Sequence, residues 1–278
     1  MVTFLLISFG LTWGTMFVVG FVFGESLVNP LVQLPMAFSP AVAALIVRTW
    51  VTREGFGDAR LRLRLGQAKR YYLMAWIGPV VILAASVGIA AAFGLLRLDL
   101  PAVPELVFGA DVPLWSVSLM ALAAPIIAMP IFWGEEFGWR GYLQQRTGRG
   151  PVVAALITGI VWAAWHFPLV FTDYTGDVDH ALTLVTWTPL LMAQAIILAW
   201  LLLRSGSIWV PCLAHAGNNM IIGTFSYPLL VQQSGIDRWV VNLLEAAPMI
   251  AVCVWLLATG RLHQNSIIDT ELGRARAA

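Results

Sequence analysis

A chain of 278 residues has the length of one or two soluble domains, yet 59% of it is hydrophobic and only 11% is charged. Soluble domains carry about 25% charge, so the composition, with a mean hydropathy of +0.81, excludes them. Long continuous apolar runs exclude an outer-membrane barrel, and a net charge of +1 gives nucleic acid no footing.

The pattern predicts an all-α polytopic membrane bundle of about eight transmembrane helices, forming a single integral membrane domain over residues 1–278. A span needs about 20 mostly apolar residues, and the candidates are 3–23, 34–51, 71–96, 114–134, 151–171, 182–203, 208–227 and 239–259. The first span has no basic residue before it and is too long for a signal-peptide core. After the second comes the basic stretch 52–70. Its alternation Arg60-Leu61-Arg62-Leu63-Arg64-Leu65 reads as a short strand or a segment lying on an anionic leaflet. Alternating eight spans puts 14 of the 16 basic residues on one face, leaving only Arg97 and Arg238 on the other. The positive-inside rule then predicts an integral protein of the cytoplasmic membrane with both termini in the cytoplasm. The tail 261–278 is expected to be a short cytoplasmic helix or disordered.

Ionisable side chains within a bilayer are costly and mark functional sites by default. Here they cluster in the catalytic core expected at 114–227, in three runs. Glu135 and Glu136 end the fourth span, followed by Arg140. Glu136 and Arg140 stand at i and i+4, the spacing of a helical ion pair. Glu135 points about 100° away, so one carboxylate is neutralised while the other stays free for acid–base work. In the fifth span Trp162 and His166 share a face at i and i+4. In the seventh, His215 and Asn219 repeat that spacing and offer donors to a developing oxyanion. Each run taken alone also fits a structural role: an interfacial salt bridge, a hydrogen-bonded histidine, a polar helix contact. Trp139, Trp162 and Trp165 flank the proposed site as a candidate substrate groove, and interfacial anchoring is the competing reading of these tryptophans.

Taken together, Glu-Glu-x-x-x-Arg, aromatic-x-x-x-His and His-x-x-x-Asn, in that order over roughly 135–219, resemble the CaaX prenyl endopeptidase and bacteriocin-processing family of intramembrane proteases. The aromatic of the second motif is usually Phe in that family and is Trp162 here. The resemblance implies that Glu135 is the base that activates a water and that His166 helps to hold it. His215 and Asn219 would stabilise the oxyanion, while the Glu136–Arg140 pair fixes the helix. It implies no cofactor, a lipid bilayer as surroundings, and a peptide or lipidated protein as substrate, cleaved in a cavity opening toward the cytoplasm or the bilayer.

Three alternatives stay open. Glu135, His166 and His215 could form a His₂Glu zinc set with Glu136 as base, although Asn219 is a poor zinc ligand. Cys212 lies three residues before His215, but an apolar setting keeps a thiol inert. A non-enzymatic scaffold, immunity protein or transporter would also carry buried polar residues. One geometric tension stands: His166 lies about 22 Å along its span from the basic face and His215 only about 12 Å.

Overall fold

The computed structural model describes residues 1–110, 112–176 and 178–262; the predicted cytoplasmic tail lies outside them but for its first two residues. The protein is an all-α polytopic bundle, with no strand among the described residues. Its helices are α1 (Val2–Met16), α2 (Pro30–Ile46), α3 (Leu65–Ala92), α4 (Val103–Phe108), α5 (Leu114–Gly138), α6 (Pro151–His166), α7 (His180–Ser205), α8 (Trp209–Gly217), α9 (Thr224–Ser226) and α10 (Arg238–Ala258). Several continue into wider π-type or tighter 3₁₀ turns, notably Trp139–Leu143 after α5 and Asn218–Gly223 after α8.

Among the described residues, seven helical stretches are long and apolar enough to cross a membrane. Six of them agree with expected spans to within a turn or two. The seventh, Leu114–Arg146, overruns its expected end at 134, so Glu135 and Glu136 lie inside the helix rather than at its tip. Their charges are met by partners within the bundle, and the helix has no need to stop for them. The expected span 208–227 is helical as well, from Trp209 through Gln232, but it is not among the seven apolar stretches. Its polar residues lower its hydropathy, and it can carry them because every residue from Val210 to Gly217 is buried against neighbouring helices.

Small residues set the approach of α5 to α2. A Cβ on Gly134 would stand 2.6 Å from the Ala37 carbonyl oxygen, and one on Gly138 would meet the Pro40 backbone at 2.6 Å. This Gly-x-x-x-Gly face is a close-packing device of membrane helices. It fixes α5 against α2 while the glutamates between the glycines turn to other faces. Gly217 does the same for α8, whose Cβ position is taken by Pro79 Cγ of α3 at 2.6 Å.

The basic stretch after α2 forms no strand. Arg60 and Arg64 adopt left-handed backbone, φ 55° and 51°, which breaks the extended conformation a strand requires. The segment instead lies across the bundle end. Arg60 O accepts from Ile208 N at 2.9 Å, Leu61 O from the Trp209 indole at 2.8 Å, and Leu63 O from the Tyr72 hydroxyl at 2.8 Å.

Candidate active site

All four expected catalytic residues, Glu135, His166, His215 and Asn219, line one cavity of about 380 Å³ between α2, α5, α6, α7, α8 and α10. Glu136 is wholly buried beneath it, and its Oε1 accepts from Arg140 Nη1 at 3.0 Å and from His215 Nδ1 at 2.9 Å. The expected Glu136–Arg140 pair therefore forms, and Glu136 has a second role that the sequence spacing did not reveal. With Nδ1–H directed at a carboxylate, the His215 ring presents Nε2 as its other polar atom. A buried carboxylate behind an imidazole fixes the ring's orientation.

Glu135 is held differently. Its Oε2 accepts from the Trp162 indole N–H at 2.7 Å, leaving Oε1 as the second oxygen. The Trp162 ring is the hub of the site. Its edge-on contacts reach His166 at 5.1 Å and His215 at 5.2 Å between ring centroids, and the Arg140 guanidinium lies over its face at 4.6 Å. Both histidines thus contact one indole, and the difference in their expected depths does not keep them from one site. His166 directs Nδ1 to the Trp162 carbonyl at 2.8 Å; because a carbonyl can only accept, the proton sits on Nδ1 and Nε2 carries the lone pair.

Asn219 donates to the His215 carbonyl at 3.2 Å, an i, i+4 bond that holds the carboxamide along the helix and leaves its second N–H. Its neighbour Asn218 donates to Gln194 Oε1 at 3.2 Å on α7. The cavity continues past residues that carried no signal in the sequence reading: Tyr174 in the loop after α6, Gln194 on α7, and Arg238 and Glu245 on α10. Arg238 and Glu245 are seven residues apart on one helix, a face-sharing spacing that could have been recognised once α10 was known to border the site.

The tryptophans divide. Trp162 and Trp165 line the cavity. Trp165 also donates to the Thr12 hydroxyl at 2.9 Å and accepts at its carbonyl from Trp13, which ties α6 to α1. Trp139 does not line the cavity: it is fully buried between Phe4 and Trp165. Trp139 and Tyr142 in the π-type turn after α5 face Phe4 of α1, so the role of Trp139 there is packing. Cys212 is also fully buried, packed with Leu202 and Ile208 away from the cavity wall.

Among the described residues no three His, Cys, Asp or Glu side chains are grouped to hold one metal ion. His166 and His215 each use Nδ1 within the protein and keep Nε2 toward the site, and Glu135 uses only Oε2.

Comparison with known proteins bears out the resemblance carried by the three motifs. The family model described as type II CAAX prenyl endopeptidase Rce1-like matches residues 110–221, the stretch holding all of Glu135, Glu136, Arg140, His166, His215 and Asn219. The chain is also similar to a CAAX prenyl protease 2 of Methanococcus maripaludis, 32% identical over 80 residues. That match covers 26% of this chain and 28% of the relative's length.

Proposed function

We propose that this protein is an intramembrane endopeptidase that hydrolyses a peptide bond with a glutamate-activated water and no metal. The observation that carries the reading is the convergence of Glu135, His166, His215 and Asn219 on one cavity, with Glu136 and Trp162 bonded behind them. The motif resemblance and the matched family segment support peptide chemistry over scaffolding, since a scaffold has no use for two carboxylates held in different environments.

In this mechanism Glu135 Oε1 takes a proton from a water held against His166 Nε2. The resulting hydroxide attacks the scissile carbonyl. The oxygen that gains charge is stabilised by the free Asn219 N–H and by the His215 ring, which Glu136 orients from behind. Glu135 then passes its proton to the departing amine, which closes the balance. Arg140 neutralises Glu136, and Trp162 holds Glu135 by one oxygen. The substrate is a peptide or lipidated protein at the membrane. The protein sits in the bilayer as a single domain with its arginine-rich face and both termini on the cytoplasmic side, a placement supported by the skew of its basic residues.

Purified protein in proteoliposomes, given a peptide library that includes lipidated-cysteine peptides, tests the proposal. Cleavage is expected, lost in Glu135→Ala and retained with a strong chelator. Cleavage abolished by chelator and restored by zinc would overturn the metal-free mechanism. Cleavage undiminished in Glu135→Ala would remove Glu135 from the role of base.

A further inference from the structure

The catalytic cavity is open at one end of the bundle and plugged at the other. Toward the arginine-rich end, the layer under Glu135 consists of Glu136, Trp139, Arg140, Tyr142, Ile208 and Cys212, each no more than 1% exposed. Arg48, itself fully buried, seals it further by donating to the Gly141 carbonyl at 2.9 Å. No residue of the basic stretch 52–70 borders the cavity.

The opposite end is different. There the lining reaches Pro30 at the start of α2, Tyr174 in the loop between α6 and α7, and Arg238 at the start of α10. These positions belong to the end whose connections carry Glu25, Asp99, Glu105, Asp173, Asp179 and Asp237 and only Arg97 and Arg238 as cations. Tyr174, in the loop itself, is 36% exposed, so this end of the lining is accessible from outside the bundle. Of the two openings expected from the sequence, toward the cytoplasm or the bilayer, the cytoplasmic one does not fit both this opening and the positive-inside orientation.

We infer that the cavity is loaded from the non-cytoplasmic side, so that the substrate is an exported peptide segment presented at that surface rather than a chain end reaching the site from the cytoplasm. The inference rests on the endopeptidase reading for what happens to the peptide, but access to the cavity is measurable without catalysis. A peptide entering between Tyr174 and Arg238 meets the polar wall of Gln194 and Glu245 before it reaches Glu135. A peptide arriving from the cytoplasm would have to displace the buried Glu136–Arg140–His215 assembly that the reaction uses.

Cysteine accessibility tests this. The native Cys212 and Cys253 are 0% and 5% exposed, so they contribute little background. Gln33→Cys and Met220→Cys, on different helices of the cavity wall, and Arg149→Cys at the basic end would each be placed in the full chain. Each would be treated with a membrane-impermeant maleimide, in intact cells and in inside-out vesicles. The expected result is that Gln33→Cys and Met220→Cys label in intact cells while Arg149→Cys labels only in inverted vesicles. Labelling of both cavity positions only in inverted vesicles would overturn the inference; using two positions guards against one variant failing to fold. In parallel, an impermeant peptide library would be offered to each face of oriented proteoliposomes. Cleavage is expected from the face that labels Met220→Cys. Cleavage only from the Arg149 face would overturn the inference and leave the protease reading intact. Labelling as expected with no cleavage from either face would count against the protease reading and leave the direction of access established.

Discussion

Trp162 is the side chain through which Glu135, Arg140 and the two histidines meet. Phenylalanine, usual at this motif position, would keep the ring contacts with His166, His215 and Arg140 but could not donate to Glu135. The indole N–H bond of 2.7 Å goes to a charged acceptor, a class worth about 1.5–3 kcal/mol. Under the proposed mechanism Trp162→Phe is therefore expected to lower kcat by about 10–100-fold with KM little changed, because the base loses its orientation and the cavity keeps its shape. Trp162→Ala should also raise KM, since it removes cavity wall. Steady-state kinetics on both variants checks this, and an unchanged kcat in Trp162→Phe would reduce the indole to packing. The four catalytic candidates named from the sequence all line the cavity, because intramembrane polar groups are rare enough to stand out; Trp139, named with them as groove, does not. The Glu136–His215 bond was not legible, since its partners lie 79 residues apart and no local spacing connects them.

At the scale of elements, apolar run length located the spans well and polar helix interiors poorly. The fourth span overran its expected end because Glu135 and Glu136 are satisfied within the bundle. The seventh expected span, 208–227, fell short of apolar because its polar residues face inward. A local signal for the close pairing of α2 with α5 was present in Gly134-x-x-x-Gly138, where a face without side chains lets backbones touch. Gly138→Ala is expected to destabilise the bundle by about 1–3 kcal/mol, the usual cost of forcing a methyl into a packed interior. Its added carbon would meet Pro40 backbone, which cannot rotate away. Gly10→Ala is the matched control: nothing lies within 4 Å of its Cβ position, and helix propensity favours alanine there. Thermal unfolding in one detergent should show a lowered Tm for the first variant and an unchanged or raised Tm for the second.

At the scale of the whole molecule, the family-like segment 110–221 is not a self-sufficient unit. Its cavity borrows walls from α2 and α10, and its basic end is clamped by residues outside it. Arg48, from the turn after α2, donates to the carbonyls of Gly55 at 2.5 Å and Gly141 at 2.9 Å and pairs with Asp58 at 2.8 Å. Arg146 pairs with Asp58 at 3.1 Å and with Glu54 at 2.5 Å. One charge cluster thus joins the N-terminal helices to the end of the α5 stretch. Burial works to raise the Asp58 carboxyl, but the Arg48 hydrogen bond and the charges of Arg48 and Arg146 outweigh it and hold the group below its ordinary value of 3.8. A carboxyl depressed in the folded state contributes stability that is present above its ordinary value and is lost as pH falls through the folded value. Asp58→Asn should therefore flatten the acid limb of stability below about pH 4 and leave the curve near neutrality lower but parallel. Arg48→Met should cost about 1.5–3 kcal/mol at neutral pH, the worth of a charged hydrogen bond whose carbonyl partners are left unmet. Because the clamp lies beneath Gly141, one turn past Glu136, this loss should loosen the plugged end of the cavity. Melting curves of Arg48→Met between pH 3 and 7 would then run lower than those of the parent and with a shallower acid slope, whereas a slope equal to the parent's would mean that Arg146 alone holds Asp58.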